Sequence, residues 1–102
     1  MIPEELSNKT IEKVYQQIKP YINTTPLIKA NNYIDDTFNS NIYLKYECFQ
    51  KSGSFKARGA INNILSSSEK DLENGITAVS AGNHEIAASY ACLLYTSPSP
   101  RD

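Results

Sequence analysis

Residues 41–65, which read NIYLKYECFQKSGSFKARGAINNIL, determine the expected fold. Apolar and polar side chains alternate over 41–47, and this alternation predicts a strand. Gly53 then marks a turn, and Ser54 stands where a helix N-cap is expected. Apolar residues at helical spacing predict a helix over 55–65. The stretch is therefore a strand, a turn and a helix, which is the repeating unit of an α/β protein.

The rest of the chain continues this alternation. An amphipathic helix is predicted over 7–19, capped by Ser7 or Thr10 and ended by Pro20. The segment 24–27 is predicted to be extended because a residue before proline avoids the helical region. The remaining predictions are a short helix or loop over 31–41, a polar connection over 66–75, a buried strand over 76–79, a turn over 80–84 and a helix over 85–91. Strands that alternate with helices predict an α/β fold with a parallel sheet.

Composition and charge exclude several classes of protein. The 102 residues suffice for one small domain, and 10 basic against 11 acidic residues give a net charge of -1. Such a balance argues against a nucleic-acid partner. No apolar run approaches the roughly 20 residues that cross a membrane. The acidic N-terminus lacks a signal pattern, and Cys48 and Cys92 are too few for a disulfide framework. We expect a cytoplasmic protein with no metal site and no nucleic-acid or membrane partner.

Two predicted loops are the places to look for a ligand site. In open α/β sheets, ligands bind beyond the carboxyl ends of the strands. The loops 48–54 and 80–84 leave such ends, and each contains a glycine and opens a helix. Both can therefore present backbone N–H groups and a positive helix end to an anion. The first loop leads into Lys56, and the second carries Asn83 and His84.

Lys56 is unusual because the helix dipole opposes a cation in the first turn of a helix. The dipole favours the neutral amine, which is the form that condenses with an aldehyde. Taken one by one, the candidate residues have plainer interpretations. Lys56 is then a solvated surface lysine, Asn83 a turn residue, His84 a structural histidine and Glu47 a surface carboxylate at a strand end.

The order of the motifs is more specific than any single residue. Lys45-Tyr46-Glu47, Gln50, the segment 53–60 (GSFKARGA) and the segment 80–84 (SAGNH) occur in series. This series resembles the fold-type II pyridoxal-phosphate enzymes, and within them most closely the threonine/serine dehydratase (ammonia-lyase) branch. The resemblance covers residues 3–91. It implies a three-layer α/β fold with a parallel sheet, of which this chain would be the N-terminal part.

The resemblance also implies roles for single residues. Lys56 would hold pyridoxal 5'-phosphate covalently and take the α-proton of the substrate, and Phe55 would pack beside the cofactor ring. Asn83 would bond the 3′ oxygen of the ring. The substrate carboxylate would be bound by the backbone N–H groups of Ser80, Ala81, Gly82, Asn83 and His84. The implied reaction converts threonine or serine to a 2-oxo acid and ammonia.

Details of the motifs separate the branches of the family. The motif sequences Ser-Phe-Lys-Ala-Arg and Asn-His differ from the corresponding sequences of cysteine synthases. Serine racemases of this fold usually carry a serine where this chain has Ala81, so elimination is expected rather than racemisation. The family commonly has a small residue after the loop histidine, and this chain has Glu85 at that position. The identity of the substrate therefore stays undecided. The alternatives are serine racemase, threonine synthase, a β-replacement enzyme, hydroxyaspartate dehydratase or a non-catalytic α/β module.

The last eleven residues differ from the rest of the chain. Eleven Ile, ten Asn and eight Lys precede residue 87, whereas residues 92–102 (CLLYTSPSPRD) contain none of them. The string matches one translated frame of a sequencing-library transposase adapter, so we expect it to be non-native. Residues 1–91 would then be an N-terminal fragment of a catalytic domain, since relatives are roughly three times as long and often homo-oligomeric. Without the glycine-rich phosphate loop and the partner of the ring nitrogen, the fragment is expected to be unstable and inactive as written.

Overall fold

The computed structural model describes residues 2–75 and 82–96. The helices and strands in this part of the chain are α1 (Asn8–Ile18), β1 (Leu27–Lys29), α2 (Asn32–Phe38), β2 (Tyr43–Lys45), α3 (Lys56–Ser66), α4 (Glu69–Glu73) and α5 (Asn83–Thr96). Short 3-10 turns occur at Glu4–Leu6, Lys19–Tyr21, Glu47–Phe49 and Lys51–Gly53. No helix in these two stretches is both long enough and apolar enough to span a membrane.

Helix α1 confirms the first predicted helix. The hydroxyl of Ser7 accepts a hydrogen bond from the backbone N–H of Thr10 at 3.3 Å, so Ser7 is the N-cap. Thr10 has a different role, because its hydroxyl donates to the carbonyl of Glu4 at 2.8 Å. The α-helical hydrogen bonds end at Ile18, and Pro20 lies in the 3-10 turn that follows. Local capping and periodicity therefore determine this element.

The two described strands form an antiparallel pair. Leu27 lies opposite Lys45, and Lys29 lies opposite Tyr43. The sequence predicted only an extended segment at 24–27, and its strand over 41–47 is shorter in the structure because the chain turns into a 3-10 turn at Glu47. Because this pair is antiparallel, it does not match the predicted parallel sheet. The other strand of that prediction, 76–79, lies outside the described residues.

Two short helices lie in segments that the sequence analysis left open or read as connections. Helix α2 falls within 31–41, and the Asn31 side chain caps it by accepting from the N–H of Ile34 at 3.0 Å. Helix α4 falls within the connection 66–75, where Ser68 accepts from the N–H of Asp71 at 3.1 Å. Apolar periodicity misses α4 because it is short and polar, whereas its cap is visible in the sequence.

The core lies where α3 packs against α1 and α5. Its buried residues are Ile18, Ala57, Ala60, Ile61, Ile64, Ala87 and Ala91. Alanine predominates on the facing sides of α3 and α5, and small side chains let two helix backbones approach closely. Helix α5 continues through Thr96, beyond the predicted end at Ala91. The non-native origin of 92–102 stays a prediction.

Candidate active site

Helices α3 and α5 pack against each other. An open groove of about 430 Å³ is lined by Ile64 and Leu65 from the C-terminal half of α3 and by Ala91 and Leu94 from the C-terminal half of α5. The 3-10 turn Lys51–Gly53, which precedes α3, also packs against α5. The loop that leads to Lys56 therefore lies against the helix that begins at Asn83.

Lys56 is the first residue of α3, and its side chain is exposed. Its backbone N–H donates to the Ser54 hydroxyl at 3.3 Å, which confirms Ser54 as the capping side chain. The ammonium Nζ lies 5.6 Å from the centroid of the Phe55 ring. Within the described residues, no carboxylate forms an ion pair with Lys56. The site therefore presents an accessible primary amine beside an aromatic face.

The loop that leads to Lys56 has an unusual backbone. Ser52 and Gly53 both have left-handed φ angles, of 61° and 84°. Glycine adopts this conformation at no steric cost, whereas serine is strained by about 1–2 kcal/mol. The Ser52 hydroxyl is also buried and has no hydrogen-bond partner among the described residues. Such a loop persists only where its surroundings hold it.

Gln50 is the first anchor of this loop. Its side chain is only 4% exposed. The amide oxygen accepts from the backbone N–H of Asn23 at 2.8 Å, and the amide nitrogen donates to the carbonyl of Asn23 at 3.0 Å. Asn23 in turn donates from its own side chain to the carbonyl of Phe49 at 3.0 Å. The loop is thereby joined to the segment that enters β1.

Glu47 and Arg58 form the second anchor. Arg58 donates from Nε and from a terminal nitrogen to the two carboxylate oxygens of Glu47, at 2.6 and 2.9 Å. The Thr25 hydroxyl donates to the same carboxylate. The Arg58 guanidinium, helped by Thr25 and opposed by burial, lowers the pKa of the Glu47 carboxyl to about 2. Glu47 is therefore a structural ion-pair partner rather than the surface carboxylate that its position alone suggested. The sequence signal that was missed is a pair of opposite charges on either side of the glycine loop.

The second loop is described from Gly82 onward, and Ser80 and Ala81 lie outside the described residues. Gly82 has a φ of 133°, and its carbonyl accepts from the N–H of Ile86 at 2.9 Å in the first turn of α5. Asn83 is exposed at the start of α5, and His84 is half-buried. The first N–H groups of a helix have no partner within the helix. This end of α5 can therefore bind an anion beside the exposed amide of Asn83.

A family profile described as "Pyridoxal-phosphate dependent enzyme" matches residues 18–98. The chain belongs to this family. Its resemblance to pyridoxal-phosphate enzymes is thereby confirmed, and the members to which it is similar include threonine dehydratases and serine racemases.

The similar proteins are much longer than this chain. It is 42% identical over 85 residues to a biosynthetic L-threonine dehydratase of Staphylococcus saprophyticus, covering 83% of this chain and 20% of that protein. It is also 42% identical over 83 residues to a serine racemase of Dictyostelium discoideum, covering 81% of this chain and 25% of the other. The structure of maize serine racemase superposes with a TM-score of 0.74 at 34% identity, covering 86% of this chain and 27% of that one. The chain thus spans about a fifth to a quarter of these relatives.

The described residues fit the cofactor of the family. Pyridoxal phosphate carries an aldehyde, and Lys56 supplies an accessible primary amine for it. Phe55 supplies an exposed aromatic face next to that amine. Asn83 supplies an exposed amide at the start of α5. The chemistry of these groups suits attachment of the cofactor and contact with its ring, and their individual roles stay predictions.

Proposed function

We propose that residues 1–91 are the N-terminal part of a pyridoxal-phosphate-dependent dehydratase that converts threonine or serine to a 2-oxo acid and ammonia. The observation that carries the choice of reaction is Ala81, which stands where racemases of this fold usually have a serine. A methyl group has no proton to exchange with the second face of the substrate. The similarity to threonine dehydratases is compatible with this choice but does not decide it.

The residues of the site have complementary roles in this reaction. When bound, the cofactor withdraws electrons from the substrate α-carbon and so makes its proton acidic. Lys56 is the general base, and its Nζ takes that proton. The backbone N–H groups of residues 80–84, which lead into α5, hold the substrate carboxylate, and the positive end of the helix favours its charge. Asn83 donates its amide to the 3′ oxygen of the cofactor ring.

A second candidate is serine racemase. The identity to the Dictyostelium racemase equals the identity to the staphylococcal dehydratase, so overall similarity favours neither. In racemisation a second acid–base group must return a proton to the opposite face of the substrate. The two reactions are separated by their products, which are a 2-oxo acid in one case and D-serine in the other.

The working protein is further proposed to be cytoplasmic and homo-oligomeric, with a small amino acid as its substrate. The exposed apolar side chains of β1 and β2 support association with more protein, whether further chain or another subunit. Leu27 and Tyr43 are 65% and 58% exposed. No nucleic-acid or membrane partner is proposed.

The test begins with the gene. Sequencing through codon 91 supplies the complete reading frame, and the complete protein is then incubated with L-threonine and L-serine. We expect 2-oxo acid release from both and D-serine formation much slower than elimination. Lys56→Ala should abolish release, whereas Lys70→Ala on the exposed face of α4 should leave it unchanged. If D-serine forms as fast as elimination proceeds, the racemase assignment replaces the dehydratase assignment. Full activity of Lys56→Ala would refute both assignments.

A further inference from the structure

The Glu47–Arg58 ion pair joins the end of β2 to the first turn of α3. Glu47 lies two residues after the end of β2, and Arg58 lies two residues after Lys56 on α3. The guanidinium and the carboxylate share two hydrogen bonds, of 2.6 and 2.9 Å. Two parallel bonds between planar groups fix both their separation and their relative orientation. The pair therefore fixes how the first turn of α3 is placed relative to the strand.

The carboxylate side of the pair is itself held in place. The Thr25 hydroxyl donates to Glu47, and the Thr25 carbonyl accepts from the Lys45 ammonium at 2.9 Å. Thr25 is 4% exposed. The carboxylate is thus held by the segment before β1, and that segment is in turn hydrogen-bonded to Lys45 at the end of β2.

The loop between the two partners cannot fix Lys56 by itself. Ser52 and Gly53 have left-handed backbone conformations. A strained conformation of this kind persists only where the surrounding structure restrains it. Gln50 restrains the beginning of the loop and Arg58 restrains the helix that follows it. Lys56 lies between these two restraints.

We propose that Glu47 and Arg58 are positioning residues that hold the first turn of α3 so that the Lys56 amine meets the cofactor aldehyde. This inference rests on the proposed function, because it assigns the aldehyde as the group that Lys56 must reach. Neither residue touches the reacting atoms in this role. They act through the backbone of the helix turn that carries Lys56.

The role is geometric rather than a matter of net charge. Because the pKa of the Glu47 carboxyl is about 2, the pair stays intact across the range in which such an enzyme works. A lysine at position 58 would keep the positive charge but would lose the two-pronged contact. Arg58→Lys should therefore behave like Glu47→Gln and not like the wild type.

The experiment measures attachment of the cofactor instead of turnover. The complete protein is prepared without cofactor as wild type, Glu47→Gln, Arg58→Lys and Ile18→Val. Added pyridoxal phosphate is fixed to lysine by borohydride at timed intervals, and the Lys56 peptide is quantified by mass spectrometry. We expect attachment at least about tenfold slower in the Glu47 and Arg58 variants, because small misplacements of reacting groups cost large factors in rate. Ile18→Val weakens the core between α1 and α3 without removing a hydrogen bond of the ion pair, and its rate should stay within about twofold of the wild type.

The outcomes separate positioning from general stability and from the proposed reaction. Wild-type attachment rates in Glu47→Gln and Arg58→Lys would overturn the inference. Equal slowing in Ile18→Val would also overturn it, since any loss of stability would then suffice. A wild-type protein that attaches the cofactor at Lys56 but releases no 2-oxo acid would contradict the proposed function, while slow attachment in the two variants would still support positioning.

Discussion

The strength of the Glu47–Arg58 pair can be measured by a double-mutant cycle. Glu47→Gln and Arg58→Met each remove one charge with little change of shape, and the double variant removes both. The fall of the Glu47 pKa from 4.5 to about 2 corresponds to an upper limit of about 3 kcal/mol. The side chains of Glu47 and Arg58 are 16% and 30% exposed, so water screens part of this attraction. We expect a coupling free energy of about 1–2 kcal/mol at neutral pH.

The pH dependence of this coupling has a definite sign. The pKa of Glu47 is lower in the folded protein than in the unfolded chain, so its contribution is complete above pH 4.5 and declines as the pH falls towards 2. Near pH 4 the coupling should be smaller than at neutral pH by about 1 kcal/mol. Amide hydrogen exchange in α3 of the cofactor-free protein reports this local opening free energy.

Two results would refute this reasoning. A coupling free energy below about 0.3 kcal/mol at neutral pH would mean that the attraction between Glu47 and Arg58 makes no measurable contribution to the opening free energy of α3. A coupling that is the same near pH 4 as at neutral pH would mean that the carboxylate charge does not carry it. Glu12→Gln on the exposed face of α1 is the matched control, and it should change the opening free energy of α3 by less than about 0.5 kcal/mol.

Two further substitutions test the loop itself. Gln50→Ala should destabilise the loop by about 2 kcal/mol, because it removes two hydrogen bonds to the backbone of Asn23, each worth about 1 kcal/mol. Gln16→Ala, on the exposed side of α1, should cost under about 0.5 kcal/mol in the same exchange measurement. Gly53→Ala should cost about 1 kcal/mol, because an alanine is strained at a φ of 84°. It should also slow cofactor attachment at Lys56. Amide protection in Gln50→Ala equal to that of the wild type would contradict the first expectation. Cofactor attachment to Lys56 at the wild-type rate in Gly53→Ala would contradict the second.

Elements with local causes were predicted well. The N-cap of α1 and the capping side chain of α3 are both serines whose hydroxyls accept from an N–H two or three residues ahead. These contacts need no knowledge of the rest of the fold. The same holds for the apolar spacing that places Ile61 and Ile64 on the buried face of α3. Helix α4 has too few apolar residues to show a helical period, and its local signal is the Ser68 cap.

Contacts between distant parts of the chain were not predictable in this way. Gln50 and Asn23 are 27 residues apart, and nothing near either one indicates the other. The antiparallel pairing of β1 with β2 depends on α2 folding between them, and three-residue strands carry too little alternation to specify a partner. Glu47 was interpreted as a surface carboxylate because its burial depends on where Thr25 and Arg58 arrive in three dimensions.

Two motifs in a fixed order, which place Lys56 and Asn83 at the starts of two helices, are enough to identify the family and with it the cofactor. Side-chain identity and local spacing carry that information, because caps and helical periods depend on near neighbours. Only the folded structure shows that the loop before α3 packs against α5, that the Lys56 amine is exposed, and that a partly buried ion pair restrains the turn beside it. Those properties arise from packing between residues far apart in sequence, and the free energy of such contacts exists only once the chain has folded.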